Sequence, residues 1–269
     1  MFSAGAMDAM MENGIRYDGI IGVSAGALFG CNYKSHQKGR ALRYNCMLKD
    51  EPRYMGLRSL FRTGNIVGAD FAYHVVPFEL DVFDTETFRN DPTEFWMVCT
   101  DIVKGEPVYH QMHEFTHHEL DWMRASASMP VVSHPVELDG LTLLDGGVTD
   151  SIPLRQFQKM GYGRNVVVLT QPKGYFKTRS RILWAFRTFC RKYPKEYECM
   201  ARRHDMYNEQ LRFLKEEELK GNTLVIAPDE PLGIGRTELN EKKMRSTHAK
   251  GYNMTVARMD EIRQFVASR

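Results

Sequence analysis

The chain has 269 residues, 43% of them hydrophobic and 26% charged, with a net charge of +2 at pH 7. That length can bury a sizeable core, and the composition is ordinary for a globular protein. Interspersed lysines, arginines and acids give no case for nucleic acid, and no apolar run reaches the roughly 18 residues a membrane-spanning helix needs.

In chain order, Phe2 to Asn13 carries apolar and small residues at helical spacing and stops at Gly14. Ile15 to Ile21 reads as a short buried strand, and Ala25 to Tyr33 as the helix after it. Gly39 to Phe88 mixes helical pieces with turn signals. Phe95 to Asp101 is a strand, paired with Pro107 to His110 across Lys104-Gly105. His117 to Ser128 is a helix. Pro135–Leu138 and Leu141–Leu144 form a hairpin across Asp139-Gly140. Asn165 to Thr170 and Thr223 to Ala227 are continuous apolar runs of the buried parallel type. Helices are expected over about 178–193, 194–220 and 240–267. The alternation predicts one α/β domain over 1–269, three layers around a mostly parallel sheet, with 178–269 mainly helical. Five cysteines without a pairing pattern suit reduced thiols in a cytoplasmic protein.

The feature that carries chemistry is Gly22-Val23-Ser24-Ala25-Gly26, set between a strand end and a helix start. Glycines flanking a serine let the backbone turn sharply, and the helix that follows aims its free N–H groups at the serine oxygen. Such a hydroxyl needs a base. His204 and His248 fit a Ser…Asp…His order, but Ser24 lies too early in the chain for an α/β-hydrolase sheet. The better partner is Asp145, at a strand end before Gly146 and Gly147. Beyond it Asp150-Ser151-Ile152-Pro153 reads as a capped helix start, which would put Asp145 and Ser24 together at the carboxyl edge of the sheet.

With Arg124-Ala125-Ser126-Ala127-Ser128-Met129-Pro130 between them, these motifs resemble the patatin-like phospholipase family. Lys173-Gly174-Tyr175, Arg191-Lys192-Tyr193-Pro194 and Gly235-Arg236-Thr237-Glu238 look like a bacterial branch of it. The resemblance implies a patatin-like fold and a Ser–Asp dyad that hydrolyses acyl esters of phospholipids or lysophospholipids, with no metal or cofactor. Ser24 would be the nucleophile and Asp145 the proton acceptor. An acyltransferase using the same acyl-enzyme, or a lipid-binding protein with impaired catalysis, are the alternatives.

Family members carry upstream of this point a strand and a D-G-G-G-x-R-G loop whose amides form the oxyanion hole. Phe2-Ser3-Ala4-Gly5 looks like the sequence just after that loop. The expectation is an N-terminally incomplete domain: a start upstream of Met1, a truncated fragment, or an inactive remnant. Lys173 to Lys195 holds eight lysines and arginines and no acid. Ile182, Leu183, Phe186 and Phe189 share one helical face there, with Trp184 beside them. Two readings fit: a helix packed on the sheet with a solvated basic edge, or a peripheral membrane contact through 178–193. His117-His118 is expected to be solvated, Asp101 to be a turn residue, and Met7, Met10 and Met11 to fill core.

Overall fold

The computed structural model describes residues 1–56, 59–60, 64–181, 183–235 and 237–268. Helix α1 (Phe2–Glu12) leads to strand β1 (Gly19–Val23), helix α2 (Ala25–Lys34) and helix α3 (Arg40–Met47). A π-helix over Asp70–Leu80, with Pro77 inside it, precedes α4 (Thr85–Asn90). Next come β2 (Glu94–Asp101), β3 (Glu106–Gln111), α5 (His117–Ser126), β4 (Val136–Leu138) and β5 (Leu141–Asp145). A short 3-10 turn, Gly146–Val148, leads to α6 (Leu154–Lys159), β6 (Asn165–Val168) and α7 (Leu183–Phe189). The chain then forms α8 (Pro194–Leu219), β7 (Thr223–Ile226), α9 (Glu241–Ala257) and α10 (Met259–Ala267).

The α/β expectation holds, but the sheet is mixed rather than mostly parallel. β1 and β2 run parallel, as do β6 and β7. β3 and β5 both pair antiparallel with β2, and β4 pairs antiparallel with β5. For β2–β3 and β4–β5 the cause is local: two tight turns return the chain beside itself, where a parallel neighbour would need a long crossover. At the β4–β5 turn Asp139 and Gly140 both take positive φ, 50° and 75°, the backbone of a type I′ hairpin.

Side-chain alternation builds the layers. Phe95, Met97 and Cys99 of β2 point into one core with Ala27 and Cys31 of α2 and Leu120 and Met123 of α5. Phe83 and Phe115 stack in this core, ring centres 3.6 Å apart. On β7, Leu224 and Ile226 face Phe2 and Met10 of α1 and Ile262 of α10. Val225 and Ala227 face the opposite way, onto Leu154 of α6 and Leu214 of α8. Around β7 the three layers are therefore present. Met10 is buried, and Met7 and Met11 pack against the same cluster, so they are core filling.

Three boundaries differ from the sequence pattern. The first strand starts at Gly19 rather than Ile15, because pairing to β2 begins only there. The expected 178–193 helix contracts to Leu183–Phe189, and the expected 240–267 helix divides at Arg258. Leu183, Phe186 and Cys190 bury themselves against Tyr197, Met200 and Ala201 of α8, so α7 packs on a helix instead of on the sheet. Ile182, the Phe189 side chain and Arg236 lie outside the described residues. All five cysteines are free thiols. No described helix is long and apolar enough to cross a membrane.

Helix α9 seats against α1 through glycines. A Cβ at Gly251 would lie 2.0 Å from the Phe2 carbonyl oxygen, and one at Gly5 2.0 Å from that of His248. Asp8 of α1 pairs with His248 Nε2 at 2.7 Å and accepts the Gly39 amide at 2.9 Å, so the contact is polar as well as close. Gly251→Ala should therefore cost about 1–3 kcal/mol through overpacking, lowering the melting temperature by several degrees. Gly163→Ala, where a methyl meets nothing within 4 Å, is the control and should leave it unchanged. Equal melting curves for the two variants would contradict this packing.

Candidate active site

Ser24 is the N-cap of α2 and has φ 55° and ψ −121°, a backbone conformation that a residue with a Cβ rarely adopts. The strand-to-helix turn forces it. A Cβ at Gly22 would sit 2.5 Å from the Ala27 amide nitrogen, so only glycine lets β1 pass this close to α2. Gly26 behaves differently: a methyl there meets nothing within 4 Å, so the second motif glycine is not required by local crowding. The Ser24 carbonyl accepts from the Ala27 and Leu28 amides at 2.9 and 3.1 Å. That leaves the Ala25 and Gly26 amides without helical partners at the start of the dipole.

Asp145 ends β5 and is buried. Its position relative to Ser24 follows from register. Val23 lies opposite Val98 on β2, which puts Ser24 level with Cys99, and Asp145 pairs with Cys99 along the same edge of β2, the other edge being taken by β3 from Trp96 to Asp101. Serine and aspartate thus stand at one height, neighbours in the gap where the ends of β1 and β5 meet beside β2. Because β5 runs against β2, the two strands arrive from opposite directions. The expected common carboxyl edge is replaced by a meeting of opposed strand ends.

One segment holds both. Ser126, at the end of α5, accepts the Ser24 amide on its Oγ at 3.1 Å and donates that hydroxyl to the Val98 carbonyl at 2.7 Å. Two residues on, the Ser128 carbonyl accepts the Asp145 amide at 2.8 Å. Asp145 Oδ1 accepts the Gly147 amide at 2.7 Å, and the Asp145 carbonyl accepts Thr100 Oγ1 at 2.9 Å. Gly146 must be glycine here, since a Cβ would lie 2.2 Å from the Val98 carbonyl oxygen. Burial pushes up the pKa of the Cys99 thiol and of the Tyr73 phenol, with the charge of Asp145 adding to both and that of Arg124 opposing the rise at Tyr73.

The Asp150 segment does not cap α6 as the sequence suggests. Asp150 accepts Tyr109 Oη and Gln210 Nε2, each at 2.6 Å, while Ser151 Oγ donates to the Gly147 carbonyl at 2.7 Å. Pro153 is the N-cap and makes no side-chain cap bond. The same Gly147 carbonyl accepts Nε of Arg203 from α8. Ser126, Ser128, Tyr73 and Arg203 are parts of the site that motif reading did not assign. Ser126 and Ser128 stand inside a recognisable motif, whereas nothing in the local sequence marks Arg203 or Tyr73.

Ser24, Asp145, Tyr73 and Arg203 all line a cavity of about 2120 Å³, well above the roughly 300–1,000 Å³ of a small-ligand site. Among the described residues β1 pairs only with β2 and β6 only with β7, and the free edges of β1 and β6 both face this cavity. His204 and His248 do not line it; they pair with Asp205 at 3.4 Å and Asp8 at 2.7 Å. Asp101 is a turn residue, its Oδ1 accepting the Val103 and Lys104 amides at 2.9 and 3.3 Å. His118 is exposed and pairs with Asp139, and no group of three or more metal-ligating side chains occurs among the described residues.

The site therefore sets a serine on a strained strand-to-helix turn beside a buried aspartate at the end of an opposed strand. Residues 1–157 match the family model of the patatin-like phospholipases, and the chain belongs to that family. Residues 193–267 match a second model, a domain of unknown function (DUF6363). The uncharacterized protein YjjU of Escherichia coli K12 is 26% identical over 187 residues, 66% of this chain and 50% of that protein. The uncharacterized NTE family protein Rv1063c of Mycobacterium tuberculosis H37Rv is 30% identical over 151 residues, 56% of this chain and 40% of that protein. The chain thus spans half or less of the length of these relatives.

Ser126→Ala would remove the partner of both the Ser24 amide and the Val98 carbonyl. It should destabilise the protein by about 1–3 kcal/mol in urea unfolding. An unchanged unfolding midpoint would show that Ser126 does not hold the elbow.

Proposed function

We propose that the chain is a serine hydrolase that cleaves acyl ester bonds of lipids, phospholipids or lysophospholipids in particular, through a Ser24–Asp145 dyad. The observation that carries this reading is the strained Ser24 backbone, held level with Asp145 by register and by the 126–128 segment. Strain of this size persists only where surrounding contacts over-determine it, and it aims the serine oxygen at the cavity. Membership of the patatin-like family supports lipid ester hydrolysis as the reaction class.

The steps follow from the groups in place. Ser24 Oγ attacks the ester carbonyl carbon while its proton passes to the Asp145 carboxylate. The tetrahedral oxyanion collapses, the ester C–O bond breaks, and the departing alcohol takes the proton back from Asp145. Water then attacks the acyl-serine, Asp145 accepts its proton, and collapse releases the fatty acid with the proton returned to Ser24 Oγ. An aspartate of ordinary pKa, about 3.9, is a weak base for this work. Burial and the fixed approach of Asp145 are what the reading relies on. Arg203 and Ser151 hold the Gly147 peptide, whose amide in turn orients the carboxylate, which makes them positioning residues.

Oxyanion stabilisation is the demanding part. The Ala25 amide, and less directly that of Gly22, are donors at the elbow, and the free edges of β1 and β6 leave room for a further backbone segment beside them. A strand between those edges, ending in a glycine-rich turn, would aim additional amides at the oxyanion.

Ser24→Ala and Asp145→Asn should each lower kcat/KM for a soluble ester by about a thousandfold or more, and together by little beyond either alone. His204→Ala and His248→Ala should leave kcat within about twofold of the parent protein. A histidine variant that falls as far as Asp145→Asn, with its fold intact, would replace the dyad by a triad. Extending the chain upstream with a strand and glycine-rich loop should raise kcat/KM by about a hundredfold or more. Equal rates with and without that extension would mean that the oxyanion donors are already complete.

A further inference from the structure

We propose that the segment from Lys173 to Lys195 is a docking surface for an anionic phospholipid bilayer, and that it seats the rim of the Ser24 cavity at the membrane. The proposal goes beyond the hydrolase reading and does not need Ser24 to react.

Charge is the first ground. The segment carries eight cations and no acid, while the whole chain is only +2, so the remainder is net acidic and the positive charge is concentrated here. Arg179, Arg181, Arg187 and Arg191 are all exposed. The acids near the segment are Glu198, which pairs with Lys195 at 2.8 Å, and Glu137, Glu196 and Glu261, whose charges act on Lys192, Cys190 and, reciprocally, Lys173. None of these answers the four arginines. A bilayer with anionic headgroups does.

Exposed aromatics are the second ground. Among the described phenylalanines and tryptophans, Phe176 and Trp184 alone are exposed, at 70% and 76%. Leaving two such rings in water is unfavourable, and rings of this kind beside arginines suit the boundary between headgroups and acyl chains. Helix α7 explains why Trp184 is outside: Leu183 and Phe186 are spent on α8, while Trp184 and Arg187, three residues apart, are both exposed beside that buried face.

The third ground is that the segment is fixed to the site. Lys177 bonds Asn208 of α8 through both backbone groups, N–H to Oδ1 at 2.8 Å and carbonyl from Nδ2 at 2.9 Å. The Tyr175 ring meets Tyr207 edge-on, centroids 5.9 Å apart. Lys177, Tyr207 and Arg203 all line the cavity that holds Ser24 and Asp145. A surface that seizes the bilayer through Phe176, Trp184 and the arginines therefore brings that opening with it, which shortens the path of a lipid ester leaving the membrane.

The test is co-sedimentation of the full chain with vesicles of phosphatidylcholine alone and with about 30% phosphatidylglycerol added, at the same salt. The partition coefficient should be at least about tenfold higher on the anionic vesicles and should fall with salt. Trp184→Ala should lower it about fivefold or more without changing the melting temperature, and Arg179→Glu with Arg181→Glu at least about tenfold. Tryptophan emission should shift to the blue on anionic vesicles in the parent protein and not in Trp184→Phe. Equal binding to neutral vesicles, binding to neither, or parent-like binding by Trp184→Ala would overturn the proposal. So would tighter association of the segment with duplex RNA than with anionic vesicles. Loss of esterase activity in a Ser24→Ala protein that still sediments would leave this surface intact and speak only to the hydrolase reading.

Discussion

The site depends on one short polar strap, the end of α5 from Ser126 to Ser128. Ser126 Oγ takes the Ser24 amide and gives its own proton to Val98, while the Ser128 carbonyl takes the Asp145 amide. Three strands and a helix are joined by these bonds. Without the strap, the elbow and the Asp145 turn would be separate loops at the meeting ends of β1 and β5, each free to relax its own strain. With it, the unfavourable backbone of Ser24 is held by groups that are themselves buried and bonded, so that geometry is set before any substrate arrives.

The polypeptide beyond the family-matched region is part of the same machinery. Arg203 of α8 reaches the Gly147 carbonyl, and Gln210 of the same helix reaches Asp150 and the Ile152 amide. The C-terminal helices thus brace the turn that orients Asp145, while α9 clamps α1 through glycine contacts at the opposite end. A domain of unknown function matched over residues 193–267 is in this structure a support for the candidate site as well as a wall of its cavity.

Much of this was legible in the sequence where local physics decides. The G-x-S-x-G turn, the Asp139-Gly140 hairpin and the apolar runs of β6 and β7 each follow from short-range sterics or burial, and they fold where the pattern puts them. Sheet direction was misread, because hairpin pairing of β3, β4 and β5 is a matter of turn length and register rather than hydrophobicity. Asp150 looked like a helix cap, yet its carboxylate is claimed by Tyr109 and Gln210 from distant segments. Arg203 could not be found from pattern at all, since the carbonyl it meets lies across the fold. Gly26 shows the converse: a residue of the motif whose neighbourhood is open.

The central claim, that Ser24 is the nucleophile, is tested most directly by where a fluorophosphonate forms its bond. The protein is treated with the reagent, digested, and the adduct located by peptide mass spectrometry. The account predicts a single phosphonylated residue, Ser24, and no adduct in Asp145→Asn on the same timescale. An adduct on Ser126, Ser151 or any other serine, or a Ser24 adduct that forms equally fast without Asp145, would contradict it.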